Sequence, residues 1–367
     1  MQIDRRLIAH FDWTLFLMTA VFVAIGALTI YSANYDIAEK HAGPLPFRQL
    51  FWFAIGTAVM ITAVAFDYRH VEKLAYPFYA VMLLLLAAVL FVGHSSGGSQ
   101  RWIDLGIFKL QPSEPAKLAV VLLLAKYFQN SEPARGYYLR DLWAPTLLVT
   151  PLIFLTLVQP DLGTAIILGL VFLSMVMMAG LRVRSFLWLA GAGMALLPVG
   201  WQFLRPYQQQ RVWTFLDPGS DPLGAGYHVI QSQIAVGSGR LFGKGFLGGT
   251  QNRLDFLPAQ HTDFIFAVFS EEWGLVGCGV LLLLYLALIG YCLRVMERAR
   301  DRLGGLLVFG MLTIIFWHLV INISMVTGLL PVVGVPLPLI SYGGSSLASV
   351  MFAIGIIMNV SMRRYTF

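Results

Sequence analysis

Long apolar stretches recur along almost the whole chain, and no other feature constrains its fold so tightly. They lie near residues 13–32, 47–66, 74–93, 113–128, 143–158, 162–180, 185–204, 263–292, 303–327 and 343–362. Most approach the roughly 20 residues that a bilayer-spanning α-helix needs. Backbone amides in lipid must find partners within their own segment, so such runs fold as helices. The expected fold class is therefore all-α, a polytopic integral membrane protein with ten transmembrane helices in a single membrane domain over residues 1–367. Composition agrees: 58% of residues are hydrophobic and only 12% charged, outside the range of soluble domains. Residues Met1 to Arg6 precede the first run without a small-residue cleavage site, so that helix is expected to be retained. The runs at 113–128 and 143–158 are short and carry Pro115, Pro145 and Pro151. Kinking, or lodging inside the bundle, is expected of both.

Orientation follows from the basic residues between the runs. One set of connections carries Arg5, Arg6, Arg69, Lys73, Lys126, Arg135, Arg140, Arg182, Arg184, Arg294, Arg298, Arg300, Arg302, Arg363 and Arg364. The opposite short connections carry only Lys40, Arg48, Arg101 and Lys109. The excess marks the cytoplasmic side, which places both termini in the cytoplasm of a multi-pass protein. The net charge of +6 then reads as topology and attraction to anionic lipid, and without a basic run it does not point to nucleic acid. Cys278 and Cys292 share one apolar run with no ligand spacing and read as small core residues.

Two outer segments are long enough to carry function. Residues 205–262 form an extracytoplasmic loop between the seventh and eighth helices, with Arg211, Arg240, Lys244 and Arg253. Asp217-Pro218 and Asp221-Pro222 have the form of helix or turn starts. Tyr227, Ile230 and Ile234 recur at helical spacing and predict a short amphipathic helix at the membrane surface. Beyond it, Gly237, Gly239, Gly243, Gly245, Gly248 and Gly249 interleave with Arg240 and Lys244. That pattern suits backbone contact with an anion, a lid, or a plain irregular loop, and lacks phosphate-loop spacing. Between the third and fourth helices, Arg101 to Leu110 reads as a small outer hairpin turning at Asp104 to Gly106.

Ionisable residues beside or within apolar runs carry the functional signal, because isolated charges there are costly. Glu114 and Lys117 stand at i and i+3 and can pair on one helix face, as a structural ion pair or as part of a ligand site. Asp161, in Gln159-Pro160-Asp161-Leu162-Gly163, reads as the cap of the next helix, at the rim of a site. Glu271 lies about 80° around a helix from Asp263, and Glu272 opposite. Neither forms a close carboxylate pair with Asp263, and both read as buried structural acids. His318 and Asn322, at i and i+4, read as interhelical hydrogen-bond formers. Asp263 stands where a polar stretch meets an apolar helix, beside His261. A helix cap would look the same, but the setting also suits a general base for a lipid-tethered alcohol. Pro331, Pro336 and Pro338 rule out a continuous helix before Ser341-Tyr342-Gly343-Gly344-Ser345-Ser346. A re-entrant outer loop beside the site is expected there.

Several of these pieces, in order, resemble the shape, elongation, division and sporulation family over essentially the full chain. They include Gln100-Arg101-Trp102, Gln111-Pro112-Ser113-Glu114 with Lys117, Gln159 to Gly163, Asp217-Pro218 through Gly226-Tyr227-His228, Gly243-Lys244-Gly245, and Phe256-Leu257-Pro258 with His261 to Phe266. The most specific is Asn322 to Gly328, then Pro331 to Pro338 and Ser341 to Ser346. Its short ends are more similar to the elongation branch than to the division branch. The resemblance implies a peptidoglycan glycosyltransferase of the cytoplasmic (inner) membrane that polymerises lipid II and releases undecaprenyl diphosphate. It further implies Asp263 as catalytic base on the acceptor hydroxyl, with Arg48, Arg101, Glu114, Lys117, Asp161, Arg211 and Lys244 as substrate-binding candidates. A class B penicillin-binding protein and other elongation-complex proteins are the implied partners. A divalent cation, Mg²⁺ or Mn²⁺, would suit the diphosphate, although no carboxylate cage stands out. A lipid II flippase and a scaffold without chemistry are the alternatives.

Overall fold

The computed structural model describes residues 11–36, 41–96, 99–104, 106, 109–130, 136–203, 206–217, 219, 225–250 and 260–364. Helices α1 (Trp13–Ala33), α2 (Leu45–Ala65), α3 (Tyr68–Lys73) and α4 (Ala75–Val92) come first. Then follow α5 (Ser113–Gln129), α6 (Trp143–Val158), α7 (Leu162–Ala179), α8 (Val183–Phe203), α9 (Pro206–Leu216) and α10 (Ala225–Ser238). The chain ends with α11 (Ile265–Glu297), α12 (Arg302–Val326) and α13 (Gly344–Arg363). Among the described residues, eight helices are long and apolar enough to cross a membrane, so this is a multi-pass helical membrane protein. That is two fewer than the ten expected. The remaining two segments correspond to α5, 17 residues long, and α8, which carries Pro198.

At the centre stand α5, α12 and α13. Residues 116–125 of α5 are all buried, as expected of a short segment lodged in the bundle. Lodging does not hold for α6, which carries Pro151 inside the helix and leaves Trp143, Leu147 and Phe154 largely exposed. Small residues bring the central helices close. A Cβ on Gly355 of α13 would meet the Met60 carbonyl of α2 at 2.8 Å, and one on Gly310 of α12 would strike Val121 of α5. Asn359 donates from Nδ2 to the carbonyls of Ala63 (2.7 Å) and Val64 (3.1 Å), which have no intrahelical partner at the end of α2.

Charged residues gather at one end of the bundle. Arg69 pairs with Asp301 at 3.1 Å, Arg363 with Asp67 at 3.4 Å, and Lys126 with Glu72 at 3.7 Å. At the opposite end, β4 (Ser99–Asp104) pairs with β5 (Lys109–Leu110), forming the hairpin expected there. It also pairs with β3 (His94–Ser96), which the alternation around Arg101 did not reveal. Gly106 takes φ +80° in the turn, its N–H donating to Asp104 Oδ1 at 2.8 Å. A minimal ladder of β1 (Tyr35–Asp36) and β2 (His41–Ala42) follows α1.

Two expectations about the long outer loop change. The surface helix exists as α10, but it buries Val229, Ser232 and Ala235, leaving Ile234 exposed. Ser232 donates to the Val326 carbonyl at 3.0 Å, so small residues dock α10 on the bundle. Of the Asp-Pro pairs, only Asp217 lies among the described residues, where it accepts from the Gly219 N–H at 3.2 Å. The backbone of the glycine-rich segment is docked on α11. Within α11, Gly274 (φ 63°, ψ −166°) breaks the helix, and residues 240–245 fill the break. Lys244 and Gly245 donate their N–H groups to the Glu271 and Glu272 carbonyls, each at 3.0 Å. In return the Arg240 and Leu241 carbonyls accept from Leu275 (2.8 Å) and Val276 (3.0 Å). Cβ atoms on Gly239 or Gly243 would strike the Ser270 and Glu272 carbonyls. These glycines permit close backbone docking.

Candidate active site

A cleft of about 370 Å³ opens at the hairpin end of the bundle, lined by residues from seven parts of the chain. The β4 strand supplies Arg101 and Trp102, the start of α5 and the residues just before it supply Glu114 and Gln111, and α7 supplies Thr164 and Ile167. Arg211 comes from α9 and His318 from α12. Thr262 and Asp263 come from the turn before α11; the rest is residues 333–336, 342, 343, 345 and 346.

The proline-bearing segment after α12 forms the wall facing Asp263. It contains no helix between Val326 and Gly344, as three prolines require. Two of its carbonyls approach helices closely because glycine permits it: Cβ atoms on Gly163 and Gly26 would lie 2.7 and 2.6 Å from the Val333 and Ile340 oxygens. Ser341 Oγ donates to the Thr262 carbonyl (2.6 Å), and Tyr342 N–H to that of His261 (2.9 Å). Asn322 bridges from α12, donating to the carbonyls of Asp263 (2.9 Å) and Val335 (2.7 Å). That bridge holds the Asp263 turn, a role that the i, i+4 spacing with His318 did not disclose.

Asp263 is not the helix cap, a place held by Phe264. Its carboxylate faces the cleft, with Oδ2 3.3 Å from where a Cβ on Gly334 would stand. Burial pushes its pKa up to about 6, against the opposing pull of Arg101 and Arg211. The neighbouring His261 is pushed down by burial and stays neutral. Both arginines are oriented by backbone oxygens: Arg211 Nη1 donates to Val332 O at 3.1 Å, and Arg101 Nη2 donates to Pro160 O. Arg101 Nη1 also lies 3.5 Å from Asp161 Oδ1. Asp161 caps α7 as expected, accepting from Thr164 N–H (3.2 Å) and Thr164 Oγ1 (2.9 Å). It anchors the arginine at the rim.

The remaining candidates fall elsewhere. Lys117 is 1% exposed and donates to Glu114 Oε1 at 2.8 Å, with His318 Nε2 also at 2.8 Å. His318 Nδ1 lies 2.7 Å from the Ile314 carbonyl, so Nδ1 carries the proton and Nε2 accepts from the lysine. Lys117 is thus a floor beneath the cleft, committed to its two neighbours; Glu114 and His318 line the cleft. Lys244 pairs with Glu271 at 2.5 Å in the helix break, and Arg48 is exposed on the first turn of α2. Neither lines the cleft. Among the described residues no group of three His, Cys, Asp or Glu side chains is placed to hold a metal ion. Glu114, the other acid in the lining, is engaged by Lys117, and Asp161, outside it, by Arg101.

Fold and site together define a class: a polytopic helical membrane protein with Asp263 and two arginines converging in a cleft at the end opposite its basic surface. Residues 12–366 match the family model for FtsW, RodA and SpoVE, described as cell cycle protein. The chain belongs to this family. It is 44% identical over 362 residues to the peptidoglycan glycosyltransferase MrdB of Escherichia coli strain K12, covering 97% of this chain and 94% of that protein. It is 33% identical to the peptidoglycan glycosyltransferase RodA of Treponema pallidum, over 98% of this chain and 99% of that protein. Among solved structures, one concerned with coordination of polymerization and crosslinking by a peptidoglycan synthase complex superposes with a TM-score of 0.83. That pair is 34% identical over 97% of this chain and 99% of the other. The rod shape determining protein RodA of Thermus thermophilus superposes with a TM-score of 0.72, at 30% identity over 97% of this chain and 98% of that one.

Proposed function

We propose that the chain is a peptidoglycan glycosyltransferase whose reaction runs in the Asp263 cleft, polymerising lipid II into β-1,4-linked strands. Asp263 takes the proton of the acceptor N-acetylglucosamine 4-hydroxyl. The oxygen forms a bond to the donor's anomeric carbon with inversion, and the bond to undecaprenyl diphosphate breaks. A base with a pKa near 6 is largely ionised at neutral pH and still basic enough to assist. The diphosphate leaves with its own charge, so it needs electrostatic stabilisation, which Arg101 and Arg211 can supply. A divalent cation would add to that stabilisation, but the described residues make no cage for it, and no step here is assigned to one.

The observation that carries the reading is the meeting of Asp263 with Arg101 and Arg211 in one cleft, from three distant parts of the chain. A flippase needs a path between both faces, whereas the Glu114–Lys117–His318 group closes this floor. The concentration of Lys and Arg at the other end supports cytoplasmic termini, a cleft on the outer side, and a place in the cytoplasmic membrane. A class B penicillin-binding protein, as the cross-linking partner, would dock on exposed apolar helix faces. Polymerisation of fluorescent lipid II by purified protein is the test: Asp263→Asn should abolish it while folding and insertion persist. Retained activity in that variant would remove Asp263 from the mechanism.

A further inference from the structure

The break in α11 builds a second feature, away from the reaction cleft. Past Gly274, residues 275–297 rise about 34 Å, enough by themselves for a hydrocarbon core of about 30 Å. The break therefore stands at the border between membrane and water. On its lipid side a groove of about 400 Å³ runs between α1 and α11, lined by Leu28, Phe242, Trp273, Val276 and Val280 among others. Its wall is almost wholly apolar, and these five side chains are all strongly exposed. At its upper end Phe242 also lines an open depression formed by residues 238–244.

Arg240 stands in that depression and is exposed. Its backbone is held at φ 48°, a left-handed conformation that a non-glycine residue adopts only when its surroundings enforce it. The enforcement is the helix break, where the Arg240 carbonyl accepts from Leu275. Among the described residues no ion pair or hydrogen bond occupies its guanidinium, whereas the adjacent Lys244 is consumed by Glu271. An apolar groove flanked by Trp273, a belt-type aromatic, and ending at a rigidly mounted, unengaged cation has the chemistry of one ligand: a phosphate on a hydrocarbon chain.

We propose that this groove binds an anionic membrane phospholipid, with an acyl chain along Val276 and Val280 and the phosphate on Arg240. The site is independent of the glycosyl-transfer reading, because none of its residues lines the Asp263 cleft. Native mass spectrometry of the purified full-length chain, titrated with phosphatidylglycerol or phosphatidylcholine, tests it. The wild type should retain phosphatidylglycerol about fivefold more tightly, the worth of one basic residue at a lipid phosphate. Arg240→Gln should bring it down to the phosphatidylcholine level. Val280→Trp, which fills the groove, should weaken both. A phosphatidylglycerol with a photoreactive acyl chain should label the peptide spanning Phe269 to Leu284. Both variants should keep the wild-type melting temperature and polymerase rate. An unchanged preference in Arg240→Gln, labelling confined to another helix, or displacement by excess inorganic phosphate would each overturn the assignment.

Discussion

Asp263 and Glu271 stand two helical turns apart in one stretch of chain, yet their surroundings differ in kind. Glu271 is fully buried, and its Oε1 accepts from Lys244 Nζ (2.5 Å), Thr250 N–H (2.8 Å) and Thr250 Oγ1 (2.9 Å). Ser238 Oγ completes the set at 3.4 Å. Asp263 is only half-buried, and the arginines beside it spend hydrogen bonds on the Val332 and Pro160 carbonyls and on Asp161. A carboxylate saturated with donors holds structure together. One that lines a cleft beside two arginines can face a substrate, and burial holds its pKa up to about 6.

The sharpest way to break this contrast is to neutralise each acid in turn. Asp263→Asn should cut lipid II polymerisation by about a thousandfold or more, within the range general bases contribute. Its melting temperature in detergent should stay level or rise, since a carboxylate raised by burial is costly when charged. Glu271→Ala should do the reverse, lowering stability by about 3 kcal/mol because Lys244 loses its partner. Thermal unfolding should report that loss while activity per folded molecule persists. A Glu271→Ala protein as stable as wild type would erase the distinction.

Arg211→Gln probes the electrostatic side and should slow turnover about a hundredfold. Because Arg211 pulls the Asp263 pKa down, its removal lets that pKa climb above about 6, and the acid limb of the rate profile should move to higher pH. In the wild type, protonation silences the base. The rate should therefore hold above about pH 6 and fall about tenfold per unit below it, checked by steady-state assays across pH. A profile flat down to pH 4 would show that ionised Asp263 is not required.

Much of the cleft was legible from residue types alone. Asp263, Arg101, Asp161 and the proline-bearing segment each stood out as polar or breaking residues in an apolar background, where they need a reason. Lys244 and Lys117 stood out equally and turned out to be committed to buried partners. A cation's availability depends on what faces it from another helix, and neither the Lys244–Glu271 pair nor the Lys117–His318 contact is local. Asn322 was read as a helix-to-helix bond, but its partners are the carbonyls of two loops. Nothing in its own helix signals them.

Hydrophobic run length by itself determined that this chain lives in a membrane as a helical bundle, because lipid offers backbone amides no other partner. Basic residues ranked the two ends in the same way. Tertiary structure alone decided that α11 breaks at Gly274 and that residues 240–245 mend it. It also decided which cations reach Asp263. Hydrogen bonds within a helix repeat every four residues and can be read locally. Bonds that join residues a hundred positions apart follow from packing, and only the folded chain brings them into range.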